Sequence, residues 1–337
     1  MNTTFLNSDV TVLKSLIAVR LDVTIWSARK KLTALDFGEI SLPPEKLASL
    51  GSKKICDPDS LKVFSALKSR AIALLGRIGI RFLGGWAVPE SRVQEIIDGL
   101  KAIEQEFAQA KDDFLTHYDE AVRRWISDNP GWEEVISRSV VGVSTVRSRI
   151  EFGWQIFQVT PPKKSMGTQC QDKLVAEVSS LGGILFQEVA KAANETWLKS
   201  YAGKTEVGQK ALSPLATLRS KLAGLSFLEP KVLPIVELID TATAQLPAKG
   251  TISGSPFVML QGLVCLLRDA DALATHGQMI IEGQTSDDIL QSLLSGNPDG
   301  EEVLDQGDEV DCGEPFPGDV QYPEMPQAPQ LDSYGLW

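Results

Sequence analysis

From Pro89 to Asp128 the chain carries no helix breaker except Gly99, until Asn129-Pro130-Gly131 forces a stop. Proline suits a first helical position, where its missing N–H costs no bond. The stretch predicts one continuous helix, about 60 Å long at about 1.5 Å per residue. A chain built on such a rod is predicted to be mainly α, an elongated bundle of long antiparallel helices. Val93, Leu100, Phe107, Phe114 and Ala121 recur every seventh residue, with Ile96, Ile103 and Ala110 in the alternate seam position. So narrow a stripe requires a helical partner, either a second copy or a later helix of the same chain. The intrachain bundle is favoured because several later segments supply a facing stripe. Beyond Phe114 the seam drifts to Tyr118, Val122 and Trp125, as a change of packing partner requires.

Before the rod, Asp9 to Ala18 has helical spacing. From Val19 to Ile25 apolar residues alternate with Arg20, Asp22 and Thr24, which fits a strand; a helix continuing to Leu32 competes, and helix is favoured. Pro43-Pro44 opens a short helix and Asp57-Pro58 a longer one to Ile78. Gly84-Gly85 between short apolar runs signals a hairpin near residues 80–88, since both glycines can take positive φ. The alternative is a compact loop seating Phe82 and Trp86 beneath the rod. After the rod, Glu133 to Gln158 and Gln171 to Tyr201 read as long helices, the second with a Gly182-Gly183 pair that bends it or lets another backbone approach closely. Ser213-Pro214, Glu229-Pro230 and Ser255-Pro256 open three more, and Thr285 to Leu294 a last short one.

The net charge of −11 belongs to one end. Residues 297–337 hold eleven acidic groups and no Lys or Arg, leaving 33 acidic and 33 basic residues for the rest. A segment rich in Asp, Glu, Gly and Pro cannot bury enough surface to offset its conformational entropy, so an acidic disordered tail is expected. The regions are therefore 1–88, helical with the hairpin; 89–201, the rod; 202–296, helical; and 297–337, the tail. Four scattered cysteines and two histidines argue against a zinc site or a disulfide framework, and no cofactor is expected. No basic lead or apolar run opens the chain, which points to a cytoplasmic location. The apolar run from Phe257 to Leu267 is too short to span a bilayer, so no spanning segment is indicated.

Each candidate site has a plainer structural reading. Gly203-Lys204-Thr205 resembles the end of a phosphate-binding loop, but Leu198 stands where its first glycine belongs. Asp112, Asp113, Asp119 and Glu120 around His117 read as a solvated helix face before a metal or acid–base site. Arg123-Arg124-Trp125 and the group Arg147, Arg149, Phe152 and Trp154 could pair phosphates and stack bases, yet at helical spacing they read first as core with a charged rim. Asn194-Glu195-Thr196 matches a glycosylation acceptor formally. Arg29, Lys30 and Lys31 with Lys53 and Lys54 form the best basic patch for a partner or nucleic acid, nucleic acid being the less favoured. In the tail, Tyr334, Leu336 and Trp337 on an acidic tether read as a docking peptide, with a solubilising tail the equal alternative.

Four stretches together resemble one bacterial family: Leu21-Asp22-Val23-Thr24-Ile25-Trp26 with Arg29-Lys30-Lys31-Leu32; Leu50-Gly51-Ser52-Lys53-Lys54-Ile55-Cys56-Asp57-Pro58; Gly79 through Pro89; and Asn129-Pro130-Gly131-Trp132. That family carries a domain of unknown function found in phages, plasmids and integrative conjugative elements, and the likeness covers about the first 200 residues. Its members are often encoded beside a MoxR-like or CobS-like AAA+ ATPase and a von Willebrand factor A or CobT-like protein. The resemblance brings no catalytic residues. It implies a non-enzymatic assembly or adaptor protein acting with the ATPase. An α-helical pore former and a single-strand DNA accessory protein are the alternatives, and self-assembly is compatible with the rod's seam.

Overall fold

The computed structural model describes residues 12–37, 48–161 and 168–295, all within one compact unit, Met1–Pro298. Helix accounts for about 64% of the structure, so the mainly α expectation holds. The strands are β1 (Leu16–Thr24), β2 (Arg29–Lys31), β3 (Ser52–Lys54), β4 (Ile80–Phe82), β5 (Gly85–Pro89), β6 (Glu151–Phe157), β7 (Glu206–Gly208) and β8 (Thr251–Ser253). After a helical turn at residues 12–14, the helices are α1 (Lys62–Ile78), α2 (Val93–Thr116), α3 (Tyr118–Ser127), α4 (Glu133–Ser137) and α5 (Val143–Arg147). They are followed by α6 (Thr168–Ser179), α7 (Leu181–Thr196), α8 (Ser213–Gly224), α9 (Val232–Ala244), α10 (Ser255–Leu267), α11 (Ala270–Ile281) and α12 (Ser286–Ser295).

An antiparallel sheet in the order β4-β5-β1-β6 stands between two hydrophobic cores. Alternation along its strands sends Leu16, Ile80, Phe82 and Ala87 into one core and Val19, Trp86 and Val88 into the other. The first core is closed by α7 to α12, with α10 buried along most of its length. The second is closed by α1, α2 and α3, where Phe64 and Phe107 lie 5.0 Å apart and Phe107 meets Phe152 at 5.3 Å.

Three expectations are corrected. The favoured helix continuing to Leu32, and the end of the one before it, are instead β1, which ends at Thr24, and β2. Ile17, Val19 and Val23 are β-branched, and β1 finds ladder partners on both sides, pairing Ala18 with Ala87 and with Phe157. The helix expected over 133–158 is two single turns followed by β6, because Phe152, Trp154 and Ile156 share the strand face packed on the second core, while Ile150, Trp154 and Phe157 imitate helical spacing. The rod is not continuous. Pro89 ends β5, a 3-10 turn over Glu90–Arg92 leads into α2, and the helix breaks at His117. That break lies where the seam drifts. It lets fully buried Tyr118 turn in against Trp26, at 5.7 Å, and donate its hydroxyl to the Val141 carbonyl. The seam itself packs within the chain, on α1 and β6.

The hairpin is present with a shifted turn. Leu83 and Gly84 carry the positive φ values, +47° and +76°, of a two-residue hairpin, and Gly85 is the first residue of β5. The helix expected over Gln171 to Tyr201 is interrupted at Ser180, just before the Gly182-Gly183 pair, and what a Cβ on Gly182 would meet, at 2.9 Å, is the Cβ of the Glu229 side chain rather than another backbone. The short helix after Pro43 lies largely outside the described residues, and the tail lies wholly outside them. Helix α11 went unread although Asp269 caps it by accepting from the Asp271 and Ala272 amides.

Candidate functional site

Two places gather chemistry. The first is the ribbon of β2 and β3, whose ladder sets Arg29 opposite Lys54, Lys30 opposite Lys53 and Lys31 opposite Ser52. The five cations singled out from sequence are thereby collected on one element. The ribbon is fixed from below: buried Ile55 donates its amide to the carbonyl of buried Ala28, and Trp26 and Cys56 continue into the core. Burial pushes the Cys56 thiol up to about 11, so it is a packing group rather than a nucleophile. Like charges directly opposite repel, and at Lys53 the fold answers with a counter-charge. Lys53 is paired with Asp36, whose side chain is 7% exposed, and which also accepts from the Thr33 amide. The lysine holds the Asp36 carboxyl below its ordinary value. Arg29, Lys30 and Lys54 are exposed and have no carboxylate partner among the described residues. Half-buried Trp125 of α3 donates its indole N–H to the Lys54 carbonyl at 3.2 Å. Two basic segments separate in sequence, 29–31 with 53–54 and 123–125, therefore meet.

The second place is a cleft of about 380 Å³ at the open edge of the sheet, where β4, the end of α1, α7 and α8 converge. Lys221 of α8 is only 6% exposed, and its Nζ donates to the Gly76 carbonyl at 2.8 Å and to Glu188 Oε2 at 2.6 Å. The other oxygen of Glu188 accepts the Arg81 amide at 3.2 Å, covering the outward edge of β4. The Arg81 guanidinium lies 3.9 Å from the ring centroid of Trp86. A second hollow, about 390 Å³, continues the cleft between α7 and α8 toward the π-helical turn Trp197–Tyr201. None of Lys221, Glu188 and Arg81 was singled out by sequence, because their partners lie 33 to 145 residues away and no local spacing marks them.

The remaining sequence candidates are dispersed into structure. Gly203-Lys204-Thr205 forms a turn before β7, not the strand-to-helix loop that cradles phosphate. His117 pairs through Nδ1 with the backbone carbonyl of Asp113, Glu120 pairs with Arg124, and Asp112 approaches Arg147 at 4.0 Å. Among the described residues no group of three His, Cys, Asp or Glu side chains is placed to hold a metal. Phe152 belongs to the core and Trp154 donates to Glu104, so that group supports α2 rather than a ligand. Asn194 accepts from Arg268 at 2.9 Å. Tyr334, Leu336 and Trp337 lie outside the described residues.

A family model described as "Protein of unknown function (DUF3150)" matches residues 13–269. No curated protein and no solved structure matches the chain.

Proposed function

The chain belongs to the DUF3150 family, whose model spans most of its length, and on that footing we propose that it is a non-enzymatic assembly or adaptor protein. In this reading it works with an AAA+ ATPase, and with a von Willebrand factor A-like protein, in a phage or mobile-element system. The long helices serve as its body. The observation that carries the reading is the ribbon: three exposed cations without carboxylate partners among the described residues, held on a short ladder that is anchored in the core. A rigid, unneutralised patch costs like-charge repulsion in the free protein, and an acidic surface docked on it relieves that cost while speeding encounter. The partner is an acidic face of another protein. Tyr334, Leu336 and Trp337 in the acidic tail are the second docking element, toward a basic or aromatic-binding pocket.

The test is light scattering of the purified protein mixed with the ATPase encoded beside it, with and without ATP. Wild type is compared with the Arg29→Glu, Lys30→Glu, Lys54→Glu variant and with a chain lacking residues 297–337. The charge reversal should abolish a nucleotide-dependent complex, and the deletion should weaken it. A complex indifferent to both changes would sink the docking assignments.

The same ribbon supports a second reading, since cations on a ladder also suit a phosphate backbone. It is less favoured because the aromatics that brace it are engaged: Trp26 is buried and the Trp125 indole N–H is held by the Lys54 carbonyl. Salt-sensitive oligonucleotide binding lost in the charge-reversed variant would replace the protein partner with single-stranded DNA. The membrane-acting alternative has the weaker support, as no helix among the described residues is long and apolar enough to cross a bilayer.

A further inference from the structure

The cleft at the edge of the sheet is charged out of proportion to a merely structural joint. Its wall carries Arg77, Arg81, Lys191 and Lys221 against Glu188 and Glu195. Glu188 is already shared between Lys221 and the Arg81 amide, Glu195 leans to Lys199 at 3.7 Å, and Arg77 is held by Glu95 at 3.3 Å. Among the described residues that leaves Arg81 and Lys191 lining the cleft without an ion-pair partner. Lys221 adds to them. An ammonium has three donors; two go to Gly76 and Glu188, and the third has no partner among the described residues although the side chain is 7% exposed. A buried donor left open beside a cavity is available to whatever fills that cavity.

Charge and size then limit the occupant. Two uncompensated cations plus one open N–H match a dianion better than a carboxylate, and a phosphate monoester carries about −1.5 to −2 near neutral pH. Stacked on Trp86, the Arg81 guanidinium is pre-oriented, and its planar fork suits phosphate oxygens. The lining also includes the apolar Ile72, Ala192 and Leu218, and Thr217 adds a hydroxyl. A volume of about 380 Å³ falls in the range of small-ligand sites. We propose that this cleft binds a phosphomonoester of about mononucleotide size, the phosphate held by Arg81, Lys191 and Lys221 and the organic body lying on Ile72, Ala192 and Leu218.

Calorimetric titration of the full chain near neutral pH at low salt tests this with adenosine 5′-monophosphate, glucose 6-phosphate, inorganic phosphate and citrate as probes. At least one phosphomonoester should bind more tightly than inorganic phosphate, and the two esters separate a nucleotide from a sugar phosphate as its source. Because Arg81 and Lys191 are exposed, the Arg81→Gln, Lys191→Gln variant should keep the wild-type circular dichroism while losing at least about tenfold in affinity, as expected when two charge-assisted bonds are removed. Three results would overturn the proposal: no ester binding up to about 10 mM, where affinity is below that of any specific site; citrate binding as tightly as the esters; or ester binding unchanged in the variant. Lys221→Met is not needed for the decision, since its loss also strands Glu188.

Discussion

Gly85 lies so close to Val19 that a Cβ on it would stand 2.5 Å from the Val19 carbonyl oxygen. The second glycine of the hairpin is therefore a spacing residue for the central strand, not a turn residue. Backbone oxygen cannot rotate aside as a side chain can, so Gly85→Ala must push β5 off β1 where Val19 pairs with Trp86. Overpacking of this kind costs about 1–3 kcal/mol. Urea unfolding should show a lower midpoint by that amount, and a variant as stable as wild type would mean that the β1–β5 ladder shifts freely.

Leu83 sits at φ +47° with half of its surface exposed, in the first turn position of the same hairpin. A branched side chain there is strained, whereas Asn tolerates the left-handed region and Asn-Gly is the preferred pair for this turn. Leu83→Asn should stabilise the protein by about 0.5–1 kcal/mol. Destabilisation instead would show that the Leu83 side chain contributes packing worth more than the backbone strain.

What the sequence displays and what it hides can be argued from these strands. The hairpin was readable because glycine pairs have few uses, and the drift of the seam after Phe114 marked the break at His117 one turn early. β6 was misread because Ile150, Trp154 and Phe157 satisfy a helical period while Phe152, Trp154 and Ile156 satisfy a period of two. Only the neighbouring β1 decides between them, and it places Phe157, 43% exposed, on the outside. The ribbon was half legible: cations clustered in sequence announced a patch, but not that Trp125 would brace it. The cleft was illegible, since Gly76, Arg81, Glu188 and Lys221 are joined by bonds that span 33 to 145 residues and no local spacing marks them.

The Lys53–Asp36 pair fixes how the ribbon responds to acid. The lysine, with help from the Thr33 amide and hydroxyl, holds the Asp36 carboxyl below its ordinary 3.8. A depressed folded-state pKa gives stability that is complete above the unfolded value and is lost as pH falls through the folded one. Unfolding free energy should therefore drop below about pH 4 more steeply in wild type than in Asp36→Asn. At neutral pH that variant should be the less stable of the two, because Lys53 then faces Lys30 without a counter-charge. Parallel acid profiles for the two proteins would remove the pair from the ribbon's stability.

At the alkaline end the sign reverses. Burial pushes the phenols of Tyr118 and Tyr201 up to about 12 and the Cys56 thiol to about 11, against ordinary values of 10.0 and 9.0. A raised folded-state pKa contributes stability that is present below the unfolded value and is lost between the unfolded and folded values. Loss should begin near pH 9 with Cys56 and steepen above pH 10 as both tyrosines join, each group adding up to about 1.4 kcal/mol per pH unit to the slope. Tyr118→Phe and Tyr201→Phe remove hydroxyls that donate to the Val141 and Ala211 carbonyls, at 2.9 and 2.6 Å. Both variants should start about 1 kcal/mol less stable at neutral pH, the net value of one hydrogen bond, and then lose less than wild type above pH 10. If their curves stayed parallel to wild type through pH 12, the two tyrosines would not be the groups whose ionisation opens the cores.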